Sequence, residues 1–98
     1  MKATLIGRTR VVYSANSFAE LVLWRVPSPV SGSAHGFKYR LAYVVAAVCV
    51  VRYDNEIGQG DHRHFGAAEN PYRFTTTDQL MLDFQEDIAR WNDENSHS

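Results

Sequence analysis

The chain carries a single cysteine, Cys49, so it can form no internal disulfide. It lacks a long apolar run: the longest, Leu41 to Val51, has eleven residues, and a membrane span needs ~20. No membrane partner is therefore expected. The opening residues, Met1 to Arg8, show no apolar stretch of signal-peptide length, which points to a cytoplasmic protein. With 45% hydrophobic and 12% aromatic residues, the composition excludes long disorder, collagen-like repeats and a coiled-coil rod. The 98 residues suffice for one domain spanning 1–98, with a polar tail at 92–98.

The net charge of −1 conceals a polarity. Residues 1–65 hold eight basic and four acidic side chains, whereas residues 66–98 hold two basic and seven acidic ones. Eight of the ten cations are arginine, whose planar fork suits phosphate better than a lysine point charge. An arginine-rich composition also has a bland reading, as a matter of genome base content.

Residues 3–13 are rich in Thr, Ile and Val and read as a strand ended by the turn cluster Ser14 to Ser17. Residues 18–26 are apolar on both faces and read as a central strand, stopped by Pro27 and Pro29. A loop to Gly36 follows, containing His35. The aromatic and β-branched run 37–53 is too long for one strand. It divides at Ala46-Ala47 into strands over 37–45 and 48–54, and its five valines between Leu41 and Val51 argue against a helix. The loop Asp54 to Asp61 returns a short strand, His62 to Phe65; a further loop covers 66–71. Thr76, with Gln79 three residues on, makes a capping-box pattern, and Leu80, Phe84, Ile88 and Trp91 form one apolar stripe beside Met81. Asp83, Glu86, Asp87 and Arg90 lie off the stripe. The expected fold class is α+β: an antiparallel sheet of five or six strands with one C-terminal amphipathic helix packed on one face.

Reactive side chains concentrate in Arg52 to Glu56 and Asp61 to His64. On a strand, His62 and His64 share a face with their Cα atoms ~6.6 Å apart, and Arg63 faces the other way. This pattern suits metal-free RNA cleavage, with the two histidines as acid and base, Asp54 orienting an imidazole, and Arg52, Arg63 or Arg73 balancing phosphate charge. It suits less specifically a metal site with Asp54, Asp61 or His35 as third ligand, and the histidines are as readily plain surface residues. Arg73 lies between Tyr72 and Phe74 and points toward the histidine cleft or toward solvent. Tyr39, Tyr43, Tyr53 and Tyr72 are base-stacking candidates or half-buried sheet residues. Cys49, amid valines, reads as a small core residue.

The run Lys38 to Val44, then Arg52-Tyr53-Asp54-Asn55-Glu56, Gly58-Gln59-Gly60-Asp61-His62-Arg63-His64 and Pro71-Tyr72-Arg73-Phe74 resembles the TumE family of bacterial toxins. The resemblance implies the toxin of a type II toxin–antitoxin pair, with a helix-turn-helix antitoxin of the TumA type as partner. Many such toxins attack RNA. The candidate set is then His62, His64 and Asp54 for catalysis and Arg40, Arg52, Arg63, Tyr72 and Arg73 for nucleic acid, with no cofactor or metal. The alternatives are a non-enzymatic toxin that blocks its target and a metal-dependent phosphoesterase. At Ala46-Ala47 the chain departs from the expected Asp-Gly type of turn. A two-residue type I′ hairpin needs positive φ at both positions, which alanine resists, so a wider turn or another connection is expected there.

Overall fold

The computed structural model describes residues 3–95. Six strands, β1 (Thr4–Ser14), β2 (Ser17–Arg25), β3 (Phe37–Val45), β4 (Val48–Asp54), β5 (His62–Phe65) and β6 (Ala68–Pro71), precede one helix, α1 (Thr77–Asn95). The strands form one antiparallel sheet in sequence order, so each pairs with its neighbour and β1 and β6 are the edges. The α+β class read from the sequence is the one observed. The segment 66–71, read as a loop, contributes β6: Gly66 takes a positive φ of 58° and turns the chain back onto β5.

The long apolar run divides where the sequence placed the break, but by a tighter turn than expected. Val45 pairs with Val48, leaving only Ala46 and Ala47 in the loop, at φ 49° and 67°. That is the left-handed pair a type I′ turn requires, adopted by two alanines. The Ala46 N–H donates to the Asn16 carbonyl at 2.8 Å, tying this turn to the β1–β2 turn.

Helix α1 starts where the cap was expected: Thr76 Oγ1 accepts from the Gln79 N–H at 3.0 Å. The reciprocal half of the box is absent, since the Gln79 side-chain amide donates to Asp83. Leu80, Phe84 and Ile88 are buried against Leu41, Val51, Tyr43 and Tyr53 of the sheet; each such apolar side chain contributes roughly 1.5–3 kcal/mol. The tail begins later than expected, because Asn92 remains helical and its Oδ1 accepts from the Tyr43 hydroxyl at 2.8 Å; residues 96–98 of that tail lie outside the described residues. No helix among the described residues is long and apolar enough to cross a membrane.

Cross-strand register sorts the side chains onto two faces. The helix side collects Ala19, Leu23, Tyr39, Leu41, Tyr43, Val51 and Tyr53. The opposite side carries two polar rungs across all six strands. One runs Arg10, Glu20, Ala42, Arg52, His64, Glu69 and the other Arg8, Val22, Arg40, Asp54, His62, Pro71. Cys49 pairs with Val44 at the β3–β4 bulge and is exposed, contrary to the core position expected, because the register turns it away from the helix.

Candidate functional site

His62 and His64 do share the helix-free face, next to Arg52 and Asp54 in the cross-strand register. Their ring nitrogens are not equivalent. The His62 Nδ1 lies 3.1 Å from the Gly60 carbonyl, which can only accept, so the proton sits on Nδ1 and Nε2 is left as an acceptor. That ring lines a cleft of about 390 Å³ together with His35, Gln59, Asp61, Tyr72 and Phe74. The His64 Nε2 accepts from Arg52 Nη2 at 3.0 Å, and its Nδ1 faces Glu69 at 3.4 Å. Both nitrogens of His64 therefore have protein neighbours.

Asp54 does not orient an imidazole. It is buried and ion-pairs with Arg52, Oδ2 to Nε at 3.1 Å. The Nε has the distance of a hydrogen bond without the direction and is the one buried side-chain donor left unpaired among the described residues. Arg40, opposite Asp54 in the neighbouring strand, is exposed.

Arg63 and Arg73 belong to a different surface, and Tyr72 lines both a pocket there and the His62 cleft. The Arg63 fork is occupied: Nη2 donates to Asp87 Oδ1 at 2.6 Å, and Nε donates to Asp87 Oδ2 and to the Tyr53 hydroxyl. Asp87, which lies off the apolar stripe of the helix, is nevertheless only 6% exposed because this arginine draws it against the sheet. Burial, and then the hydrogen bond to Asp87, pushes the Tyr53 phenol well above its ordinary value, while the Asp87 hydrogen bond raises Arg63. Tyr72 donates to Asp83 and stands edge-on to Tyr53 at 4.9 Å. Arg73 is exposed beside them, at a pocket of about 290 Å³ between the sheet and α1. Tyr39, Tyr43 and Tyr53 are buried under the helix, so none offers a free ring face.

Sequence reasoning missed the densest polar network, built on Asp61. Its Oδ1 accepts from the Ser33 hydroxyl at 2.5 Å, and its Oδ2 accepts from His35 Nε2 at 2.7 Å and from the Tyr39 hydroxyl at 2.6 Å. The other His35 nitrogen accepts from the Phe37 N–H at 3.2 Å, and the ring stacks on Phe74 at 3.8 Å. With both nitrogens bonded, His35 has no site for proton transfer; it positions the cleft wall. Asn55, 1% exposed, completes the tie, accepting from the Tyr39 N–H and donating to Phe37 O and Ser33 Oγ. Gly32 and Gly60 let the two loops touch, since a Cβ on Gly32 would lie 2.6 Å from the Gly60 nitrogen. The legible signal was serine, histidine and aspartate clustered within two glycine-containing loops.

No group of three or more His, Cys, Asp or Glu side chains among the described residues converges as a metal site, so the His62–His64 metal reading has no third ligand in place. Comparison with curated proteins and with solved structures gives no match. The TumE toxin family model, in contrast, matches residues 2–92, nearly the whole chain. The sheet, the terminal helix and that match agree: the chain belongs to the TumE family of toxins, which implies an antitoxin as its partner.

Proposed function

We propose that this toxin acts on RNA, which it takes on the helix-free face of its sheet and cleaves without a metal. The carrying observation is the His62 ring, which lines a cleft and is fixed by Gly60 through Nδ1, so that Nε2 is the nitrogen left for proton transfer. In this reading His62 Nε2 removes the proton of a ribose 2′-hydroxyl and the 2′-oxygen attacks the adjacent phosphorus. The bond from phosphorus to the 5′-oxygen breaks as His64 turns its Nδ1–H away from the 3.4 Å contact with Glu69 and gives that oxygen the proton, Nε2 staying on Arg52, which leaves a cyclic phosphate and a free 5′-hydroxyl. Arg52 and Arg40 balance the charge of the phosphorane, and Asp54 holds Arg52 in place. The antitoxin is of the helix-turn-helix TumA type and the pair is a type II system in the cytoplasm.

The test is RNA incubated with purified protein in EDTA. Cutting that persists in the chelator and is lost in His62→Ala and His64→Ala supports the reading; full toxicity of both variants, folded and without antitoxin, removes it. A second reading, a toxin that binds and blocks its target, is favoured by one observation: His64 is held on both sides by Arg52 and Glu69. Turnover at protein concentrations far below substrate decides against it.

A further inference from the structure

Two alanines in the left-handed region are a costly way to close a hairpin when Asn-Gly would close it without strain. Ala46 and Ala47 do not face an empty surface. They rim a depression of about 430 Å³ with Val12 and Phe18 of the helix-free face and with Ser14, Asn16 and Ser17 of the β1–β2 turn. Arg10 borders the same depression, its guanidinium 4.0 Å from the Phe18 ring centre. Val12, 68% exposed, belongs to β1, an unpaired edge that also exposes Leu5, Ile6, Val11 and Tyr13. Neither Arg8 nor Arg10 has a salt-bridge partner among the described residues.

An open, apolar edge strand with alternating arginines suits strand addition. A second copy is the poorer occupant. β1 is centred on Thr9, so antiparallel self-pairing in full register sets Arg8 opposite Arg10 of the other copy. A shift by two residues in either direction sets one arginine against its own counterpart, and like charges directly opposite are unfavourable. We propose that β1 and the Ala46–Ala47 depression form the docking site for an extended segment of the antitoxin. That segment carries carboxylates toward Arg8 and Arg10 and one apolar side chain into the depression. The strained turn is kept for its methyl groups, as strain persists where function holds it. The inference rests on the family's antitoxin partner and is independent of the RNA chemistry.

The test is the chain co-expressed with its antitoxin from a two-gene plasmid, read by hydrogen exchange and by affinity. The double variant Ala46→Asn/Ala47→Gly should melt at a higher temperature than wild type, arrest growth like wild type when alone, and bind antitoxin ~10-fold more weakly. Arg10→Glu should weaken the complex likewise, and the β1 amides should gain protection in the wild-type complex. Unchanged antitoxin affinity in the double variant overturns the proposal, as does protection confined to α1 or to the His62 cleft. A free chain that sediments as a dimer with β1 protected assigns the edge to a second copy and overturns it too. Growth arrest by His62→Ala is read separately and bears only on the RNA proposal.

Discussion

Arg63 on β5 grips Asp87 on α1 with two nitrogens, and the Tyr53 hydroxyl closes the group by donating to the same carboxylate. This is the one bidentate ion pair between helix and sheet among the described residues. Removing the carboxylate strands a guanidinium and a phenol under the helix. Asp87→Ala should cost ~2–4 kcal/mol, less than a fully buried pair because Arg63 is part-exposed. The measurement is the urea midpoint. The double variant Arg63→Met/Asp87→Leu should recover much of the loss; if it is no more stable than Asp87→Ala, the ion pair is not what that substitution breaks.

The same tyrosine sets a limit at high pH. Burial first, and then hydrogen bonds to Asp87 and Asp61, raise Tyr53 and Tyr39 far above the ordinary value of 10.0. A folded-state value above the unfolded one gives stability that is complete below pH 10 and lost as the pH climbs beyond it. The unfolded chain then releases phenol protons that the native chain retains, at ~1.4 kcal/mol per pH unit for each tyrosine. Denaturation midpoints should be level on the near side of pH 10 and fall beyond it. Tyr39→Phe/Tyr53→Phe should flatten the fall, and tyrosinate absorbance should rise only as the protein unfolds.

Asn55 is predicted to be a stability residue despite lying in a loop beside the candidate site. Its amide spans β3 and the 27–36 loop through the Tyr39 N–H, the Phe37 carbonyl and Ser33. Asn55→Ala leaves buried backbone groups without partners, a loss of roughly 3 kcal/mol, or on the order of 15 °C in melting temperature. Asn55→Asp should fare little better, because an acceptor then replaces the donor toward the Phe37 carbonyl. A melting temperature within a few degrees of wild type would show that water replaces the amide.

Period and punctuation made the fold legible. The Leu80, Phe84, Ile88 stripe with its Thr76 cap gave the helix, valine-rich runs gave four strands, and the return from the glycine-containing loop 54–61 gave a fifth, His62 to Phe65. The Ala46–Ala47 turn was located but not its form, since alanine propensity argues against the backbone that the sheet twist imposes. β6 was missed because Ala68 to Pro71 has no β-branched residue; pairing with β5, not propensity, makes it a strand. At the candidate site the i, i+2 rule placed His62 and His64 on one face. It could not show that Asp61 is satisfied by Ser33, His35 and Tyr39, contacts that span more than twenty residues. The helix position of Asp87 likewise hid its burial, which depends on an arginine 24 residues earlier.

The two faces of the sheet make opposite predictions for RNA. Arg40 is exposed on the helix-free side beside Arg52 and the His62 rung, whereas Arg73 sits on the helix side near Asp83 and Asp87. Each phosphate contact to a single strand contributes ~0.7 to the slope of log affinity against log salt. Arg40→Gln should reduce that slope by ~0.7 and weaken binding at low salt for any RNA sequence, while Arg73→Gln leaves the slope unaltered. Both residues are exposed, so neither substitution should shift the melting temperature by more than about 2–4 °C. The reverse pattern, a slope that falls with Arg73 and not with Arg40, would move the nucleic-acid surface to the groove between β6 and α1. His64, held to Arg52 on the helix-free rung, would then lie on the wrong side of the sheet to reach the scissile phosphate.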